Sequence, residues 1–360
     1  MVHSSAPHLP ACLATVRLTL LIPELIWPEP ADQFTLGKLA APSFEWLLAH
    51  AQTRHQARQS FEMSLAECFA LPNAPLGMLR LRGEGSDLFN EGQWLCADPV
   101  HLRFHQERII LADAGAFELE IDEAQAIIAS LNNEFVDIGQ FHAATSRRWY
   151  LNLNATVDHV SEPISAVAGR RVDSELPKGD STLTRWLNEV QMFLHGHPVN
   201  QHRQTEGKPI VNSMWLWGNG SFSTDTTSTP QTYTSVWTDN PLAMGFALHQ
   251  QIPLHSPVES LAKLSPDAGE SPLVILDPLL FRVLYEDGDG WRKAFEQFET
   301  NWLSAVKDNL GRKISQVDII APTIYGKLHY TITASERWKF WKPTQPITTI
   351  AEQLAESANQ

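Results

Sequence analysis

Continuous apolar runs near both ends of the chain limit its fold more than any other feature of the sequence. The run from Val16 to Ile22 is rich in leucine and β-branched residues and stops at Pro23, which is typical of a buried strand. Near the other end, the short runs Leu273 to Leu276 and Val317 to Ile320 flank a helix-length segment, Trp291 to Leu310. Strand–helix–strand spacing of this kind predicts a parallel sheet built from both ends of the chain.

The middle of the chain has a different pattern. Short alternating runs at 100–104, 108–112 and 148–153 predict antiparallel strands, and the segments 122–132 and 183–194 predict amphipathic helices. We therefore expect an α/β protein with a smaller α+β domain inserted into a parallel-sheet core.

The boundaries expected for this organisation follow from where the pattern changes. Residues 1–92 and 196–360 are assigned to the core, and residues 93–195 to the inserted domain. The Ser- and Thr-rich stretch 221–234 is expected to form a loop, and the chain from about Lys342 is expected to be loosely attached.

The charge balance excludes a generic nucleic-acid binder. The chain has 27 Lys and Arg against 41 Asp and Glu, a formal net charge of −14, and such a surface repels phosphate unless basic residues cluster locally. Its densest basic runs are Arg147-Arg148, Arg170-Arg171 and Arg337 to Lys342, and each is short.

Cysteine usage and hydropathy indicate the compartment. Cys12, Cys68 and Cys96 are an odd number at wide spacing, which fits neither a disulfide framework nor a zinc site. The apolar run Leu18 to Trp27 contains Pro23 and Glu24 and is too short to span a bilayer. We expect a soluble, cytoplasmic protein with no membrane partner.

One segment concentrates polar side chains beside glycines. A strand expected over 212–217 runs directly into Gly218-x-Gly220, and such a turn lets backbone N–H groups approach a ligand. Asn200, Arg203 and Asn212 could donate hydrogen bonds to a phosphate or a carboxylate. The alternative is a strand-end turn whose tryptophans fill the core.

Two patterns raise the question of metal binding. His195, His197 and His202 lie close in sequence, but alternation and Pro198 prevent their convergence on one ion. The segment 286–290 resembles the start of a calcium loop but has no glutamate at the twelfth position, so it predicts a helix-capping turn before Trp291.

The order of these features resembles a known family. Residues 188–203 and 212–220 carry the resemblance, with weaker similarity at 97–103 and 113–115. The chain is similar to archaeal-type 2,3-bisphosphoglycerate-independent phosphoglycerate mutases of the alkaline phosphatase superfamily, and more closely to bacterial relatives known as RpfE-type regulatory proteins. The resemblance implies an alkaline-phosphatase-like core.

The chain departs from this family where the chemistry is carried out. The family's reaction uses two divalent metals and a Ser or Thr nucleophile. At the ligand positions this chain has Glu24 after the first strand, Phe281 to Tyr285 before the long helix, and Ala321-Pro322 after the last core strand. Ser64 falls near the nucleophile's place and His329 near that of the last histidine ligand.

These departures favour a mutase-like pseudoenzyme that lacks the two-metal site and needs no cofactor. It would act as a binding or regulatory protein for a small phosphorylated or anionic ligand, with or without a protein partner. An active phosphoglycerate mutase or related phosphotransfer enzyme with a remodelled site is the alternative, and a purely structural role for the polar cluster is a third reading. The expected ligand-binding residues are Asn200, Arg203, Asn212, Trp217, Gly218, Gly220 and Arg103.

Overall fold

The computed structural model describes residues 15–90, 92–105, 108–155, 159–170, 172, 178–179, 181–220 and 232–358. These residues form fourteen strands and twelve α-helices. The strands are β1 Val16–Leu21, β2 Gln52–Gln56, β3 Gln93–His105, β4 Arg108–Asp113, β5 Gly139–Ala143, β6 Trp149–Leu153, β7 His159–Val160, β8 Lys178–Gly179, β9 Ser213–Trp217, β10 Ser235–Trp237, β11 Leu254–His255, β12 Pro272–Ile275, β13 Ile314–Thr323 and β14 Gly326–Thr333. The helices are α1 Pro42–His50, α2 Phe61–Cys68, α3 Leu76–Gly83, α4 Ile121–Glu134, α5 Ile164–Val167, α6 Ser181–His195, α7 Pro198–Thr205, α8 Pro241–His249, α9 Leu280–Leu284, α10 Gly288–Phe298, α11 Ser304–Asn309 and α12 Ile347–Ala358.

A seven-stranded sheet forms the core, in the order β11-β10-β12-β1-β13-β14-β2. The first five strands of this order are parallel, and β14 and β2 extend the sheet antiparallel. β1 pairs with β12 on one side and β13 on the other, so the two ends of the chain meet at its centre. The predicted α/β fold with a parallel-sheet core is confirmed.

A separate antiparallel sheet comes mainly from the middle of the chain. Its order is β4-β3-β6-β5, and β9 pairs with β3 from Cys96 to Val100. The expectation that the strand over 212–217 lies in the core sheet was therefore wrong. Trp215 and Trp217 lie on one face of this strand and Met214 and Leu216 on the other, and each face packs into a different apolar cluster. Because both faces are buried, the residue pattern does not distinguish this antiparallel strand from a buried parallel one. The other domain boundaries stay a prediction.

A layer of helices lies between the two sheets. Helices α2, α3 and α8 share one apolar cluster with Leu273 of the parallel sheet and Trp94 of the antiparallel sheet. Helices α3 and α8 approach closely, because a Cβ atom at Gly245 would overlap the carbonyl oxygen of Leu79, and one at Gly83 that of Pro241. These glycines hold the middle layer together.

The long helix predicted over 291–310 is present and is interrupted by one π-helical turn. Helix α10 runs into the π-turn Glu299–Leu303 and then into α11. Buried Glu299 on that turn accepts hydrogen bonds from the backbone N–H groups of Ser43 (2.6 Å) and Phe44 (3.0 Å). It thus caps the amino end of α1, which has no capping side chain of its own.

The end of the chain is better ordered than the sequence predicted. Helix α12 buries Ile347 and Ala351 in the cluster beneath the parallel sheet, so the expectation of a loosely attached segment from about Lys342 was wrong. The apolar residues are four apart, which places both on one helical face. Most of the expected 221–234 loop lies outside the described residues.

Other sequence-based expectations concern single residues. Cys68 and Cys96 are buried free thiols, burial raises the pKa of Cys68 to about 11, and Cys12 lies outside the described residues. Within the described ranges, every helix is too short or too polar to cross a membrane.

Candidate functional site

Arg203, the expected anion-binding arginine, is buried and hydrogen-bonded to protein on every side. Its Nη1 donates to Glu123 Oε2 (2.6 Å), its Nη2 to the carbonyl of Glu118 (2.6 Å), and its Nε to the carbonyl of Pro209 (2.8 Å). The guanidinium ties α7 to the start of α4 and has no face open to a ligand.

The two asparagines also bond to backbone. Asn200 donates to the carbonyls of Leu194 and Val211 (2.7 Å each) and accepts from the N–H of Val211 (2.9 Å). The Asn212 side chain accepts a hydrogen bond from the N–H of Leu102 (2.7 Å) and donates one to the carbonyl of Leu102 (2.7 Å). These two bonds join the start of β9 to β3.

The remaining expected site residues are dispersed. Gly218 has a φ of +79° and its carbonyl accepts from Gly77 N–H (2.8 Å), so the glycine turn packs against α3 rather than facing a ligand. Gly220 lies against the carbonyl of Ala74, and Arg103 is exposed on β3. Trp217 alone among the seven residues lines the large cleft described below. A ligand role for the group stays a prediction.

The residues at the family's metal and nucleophile positions do not converge. Ser64 is fully buried and its Oγ donates to Gln59 Oε1 (3.3 Å). His329 Nε2 shares a hydrogen bond with Asp318 Oδ1 (3.0 Å) within the sheet, and Glu24 lies at the end of β1. No group of three or more His, Cys, Asp or Glu side chains within the described ranges could hold a metal ion.

Glu24 occupies an unusual environment for a metal ligand. Its backbone is left-handed (φ 54°), its side chain is buried, and its Oε2 has no hydrogen-bond partner among the described residues. Arg170 Nη2 lies 3.9 Å from Oε1, and Arg58 shares the same small pocket. Burial raises the pKa of Glu24 to about 7, so the carboxyl is partly protonated at neutral pH. A dication would meet two guanidinium groups beside this single carboxyl, so the residues present do not fit the two-metal centre.

The histidine and calcium-loop patterns are structural. His197 caps α7 through Nδ1 and contacts Ser130 Oγ through Nε2 (3.0 Å), whereas His202 is exposed on α7. Asp287 Oδ1 accepts from Gly290 N–H (2.8 Å), which confirms the predicted capping turn before Trp291.

A cleft of about 400 Å³ opens between the two sheets. One side is formed by the carboxyl ends of parallel strands, where Asp239 and Asn240 follow β10 and Asp277 follows β12. Such edges are where open α/β sheets usually bind ligands. The other side is formed by the antiparallel sheet and its loops, with Asp98, Asp113, Gly115, Arg147 and Arg148.

A buried ionic network supports the floor of the cleft. Arg80 on α3 donates two hydrogen bonds to Asp98 on β3, from Nη1 to Oδ2 (2.8 Å) and from Nη2 to Oδ1 (2.7 Å). Trp217 Nε1 donates to Asp98 Oδ2 (2.8 Å), and Arg80 Nε donates to Tyr150 Oη (2.9 Å). These charges compensate each other and are not available to neutralise a ligand.

Several carboxyl groups on the cleft are shifted toward the neutral form. Burial, with the nearby Asp98 carboxylate second, raises the pKa of Asp113 to about 6. Burial also raises the pKa of Asp277, whose Oδ2 accepts from Asn240 Nδ2 (3.2 Å), and that of Glu62, which accepts from Ser165 Oγ. These carboxyl groups therefore take up protons at a higher pH than exposed carboxyl groups do.

One end of the cleft offers donors for an anion. Arg147 is exposed, and no carboxylate lies within 4.0 Å of its guanidinium in the described part of the chain. A second cavity of about 240 Å³ shares Gly115, Arg147 and Phe281 with the cleft. It also contains Tyr285, whose buried Oη has no hydrogen-bond partner among the described residues. An exposed guanidinium and an unsatisfied hydroxyl that line one cavity are suited to a phosphate or carboxylate.

Sequence reasoning missed most of these cleft residues, although signals existed for some of them. Asp277 directly follows the predicted buried strand Leu273 to Leu276, and Arg147-Arg148 was recognised as a basic run. Asp98, Asp113 and Gly115 lie in the segments that carry the weaker family resemblance. Arg80 had no signal, because only the packing of α3 brings it to the cleft, and Tyr285 stood out only as the end of a segment that lacks the expected metal ligands.

Mixed α/β architecture, with a parallel-sheet core and a separate antiparallel sheet, defines the class of this protein. It shares its fold with the PH0037 protein from Pyrococcus horikoshii, with a TM-score of 0.53, 11% identity and coverage of 97% of both chains. A cofactor-independent phosphoglycerate mutase from Thermoplasma acidophilum aligns with a TM-score of 0.38 and 14% identity over 96% of this chain and all of the other.

In sequence, the chain is homologous over part of its length to archaeal-type cofactor-independent phosphoglycerate mutases. It is 30% identical over 139 residues to the 2,3-bisphosphoglycerate-independent phosphoglycerate mutase of Methanosarcina mazei (36% of this chain, 34% of the relative). It is 31% identical over 119 residues to mutase 2 of Methanothermobacter thermautotrophicus (32% and 29%), and 28% over 125 residues to a probable mutase of Geobacter sulfurreducens (34% and 31%). The match thus spans about a third of the curated relatives' length, and no protein-family profile matches the chain.

Proposed function

We propose that this chain is a mutase-like pseudoenzyme, a regulatory protein of the RpfE type, that binds a small phosphorylated or other anionic ligand in the cleft between its two sheets. The pair formed by Arg147 and the buried Tyr285 hydroxyl carries the proposal, because neither side chain has a hydrogen-bond partner among the described residues and both residues line connected cavities. The ligand's anionic group would bind there, and the rest of it would extend toward Asn240 and Asp277.

The environment of Glu24 supports the non-catalytic part of the proposal. Phosphoryl transfer by two metals needs several hard ligands in fixed geometry. At Glu24 a single, partly protonated carboxyl lies beside Arg58 and Arg170. Ala321 and Pro322 at the end of β13 have no ligating side chain.

An active mutase is the second candidate. Homology to the mutases over a third of the chain favours it, as do Asp239 and Asp277 at the ends of neighbouring parallel strands. We expect the purified protein to contain no stoichiometric Mn, Zn or Mg by elemental analysis, and to leave 3-phosphoglycerate unconverted with added Mn²⁺. Two metals per chain, together with turnover that Ser64→Ala abolishes, would establish the enzyme instead.

Calorimetric titration with 3-phosphoglycerate and with inorganic phosphate tests the binding site. Arg147→Gln should weaken binding at least tenfold, since a charge-assisted contact contributes about 1.5–3 kcal/mol, and Tyr285→Phe should weaken it less. The matched control is Arg54→Gln, which removes an exposed arginine on β2 that does not line the cleft and should leave binding unchanged. Loss of binding on Arg103→Gln but not on Arg147→Gln would move the site to the β3 residues, and no binding of either probe by the unmodified protein would contradict the proposal.

A further inference from the structure

Three aromatic side chains protrude together from one turn near the end of the chain. Trp338, Phe340 and Trp341 are 77%, 87% and 67% exposed, and the rings of Phe340 and Trp341 contact edge to face at 5.3 Å. Large apolar side chains exposed elsewhere in the described residues, such as Phe34 and Met192, occur singly. A cluster of exposed aromatics is costly in water and marks an interaction surface.

Basic residues surround these aromatics. Arg337, Lys339 and Lys342 alternate with them in sequence. Arg337 Nη1 donates to the carbonyl of Leu310 (3.1 Å), which brings the exposed turn residues Arg312 and Lys313 alongside. Five cationic side chains thus lie close together in a chain whose net charge is −14. Two acidic residues, Glu336 and the exposed Asp308 next to that turn, offset part of this local positive charge. We call the three aromatics and five cations the aromatic–basic surface.

The turn that presents these side chains is fixed by internal bonds. Buried Glu336 accepts from Lys339 Nζ (2.6 Å) and Lys342 Nζ (3.1 Å). His50 Nε2 shares a hydrogen bond with the carbonyl of Lys339 (3.1 Å). These bonds hold the backbone of the turn, and the three aromatic rings are largely exposed from it.

We propose that the aromatic–basic surface docks this protein onto an anionic lipid bilayer. Tryptophan is the side chain that most favours the headgroup region, where its apolar ring is buried and its N–H stays hydrated. Interleaved lysine and arginine attract anionic headgroups, and their stems can lie along the apolar boundary. Docking of this kind needs no membrane-spanning helix, and it differs from the expectation that the protein has no membrane partner.

Co-sedimentation with vesicles tests the proposal on the full chain. At low salt, the protein should bind vesicles of phosphatidylcholine containing phosphatidylglycerol and should bind pure phosphatidylcholine at least tenfold less. Raising the salt to 0.5 M should release most of the bound protein, because the Debye length falls to a few ångströms. The variant Trp338→Ala/Phe340→Ala/Trp341→Ala should lose measurable binding.

Charge and aromatic contributions can be separated. Arg312→Gln/Lys313→Gln should weaken binding roughly tenfold or more and leave the Glu336 pairs intact. Phe34→Ala, which removes an equally exposed ring elsewhere, should have no effect. Failure of the unmodified protein to bind anionic vesicles, or undiminished binding by the triple aromatic variant, would overturn the proposal. Self-association in gel filtration that the triple variant abolishes, without vesicle binding, would assign the surface to a second copy of the chain.

Discussion

Glu24 combines two unfavourable features at one residue, a left-handed backbone and a buried carboxyl with an unsatisfied oxygen. Neither is expected at the end of an ordinary core strand, and each costs free energy. Observed outliers of this kind are concentrated at functional sites. The family resemblance led to the expectation of a metal ligand near this residue, whereas its surroundings favour a neutral carboxyl.

The raised pKa of Glu24 predicts a specific dependence of stability on pH. The unfolded carboxyl loses its proton near pH 4.5 and the folded one only near pH 7, so the folded state binds more protons between these values. The free energy of unfolding should therefore fall as pH rises from 4.5 to 7, by up to about 3 kcal/mol. Glu24→Gln should remove this contribution, so the difference between variant and unmodified protein in urea unfolding should grow across that window. Glu29→Gln, at an exposed glutamate, should leave the profile unchanged, and a variant profile parallel to that of the unmodified protein would contradict the raised pKa.

At the level of elements, the crossing of α3 and α8 decides how the middle layer packs. Gly83 and Gly245 let the two helices approach so closely that backbone of one contacts backbone of the other. The sequence does not predict α3, because Leu76 to Gly83 alternates arginine with leucine and has no clear apolar face. Such a helix is stabilised by its neighbours rather than by its own sequence.

The close approach reverses the usual effect of a Gly→Ala substitution in a helix. Alanine normally stabilises a helix interior by about 1 kcal/mol relative to glycine. At Gly245 the added Cβ would overlap the Leu79 carbonyl oxygen, so we expect Gly245→Ala to destabilise the protein by about 2 kcal/mol or more. Gly196→Ala, where the nearest atom is an ordinary contact at 3.9 Å, should change stability little. Chemical denaturation of both variants measures the difference, and stabilisation by Gly245→Ala would show that the helices are further apart.

Other elements show which parts of the fold can be read from sequence and which cannot. Strands β1, β12 and β13 were predictable because continuous apolar runs identify buried parallel strands. Strands β2 and β14 were not, since β2 is polar and fully exposed and is held only by pairing with β14. The candidate cleft was not predicted, because Arg80, Arg147 and Tyr285 come from segments that are distant in sequence and line connected cavities only in the folded chain. The polar residues that stood out in sequence, Asn200, Arg203 and Asn212, are those that bond to backbone.

At the scale of the whole molecule, the two sheets are coupled through the middle helices. Arg80 on α3 pairs with Asp98 on β3, and α3 packs against α8, which follows β10 of the parallel sheet. The ion pair is buried, with side chains 6% and 6% exposed, so neither charge can be solvated if the other is removed. The same contacts form the floor of the cleft, and the geometry of the ligand site therefore depends on both sheets.

This coupling predicts that a destabilising substitution in one sheet also lowers the stability of the other sheet. Asp98→Asn leaves the Arg80 charge buried without compensation, so it should cost about 3–5 kcal/mol, whereas Arg80→Met/Asp98→Asn should cost less than Asp98→Asn alone. Hydrogen exchange gives the spatial test. Asp98→Asn should lower amide protection in β12 of the parallel sheet as much as in β6 of the antiparallel sheet, because the shared helical layer makes their opening cooperative. A loss of protection confined to β6 would instead mean that the antiparallel part unfolds independently and that the cleft lies at a hinge between two separately stable units.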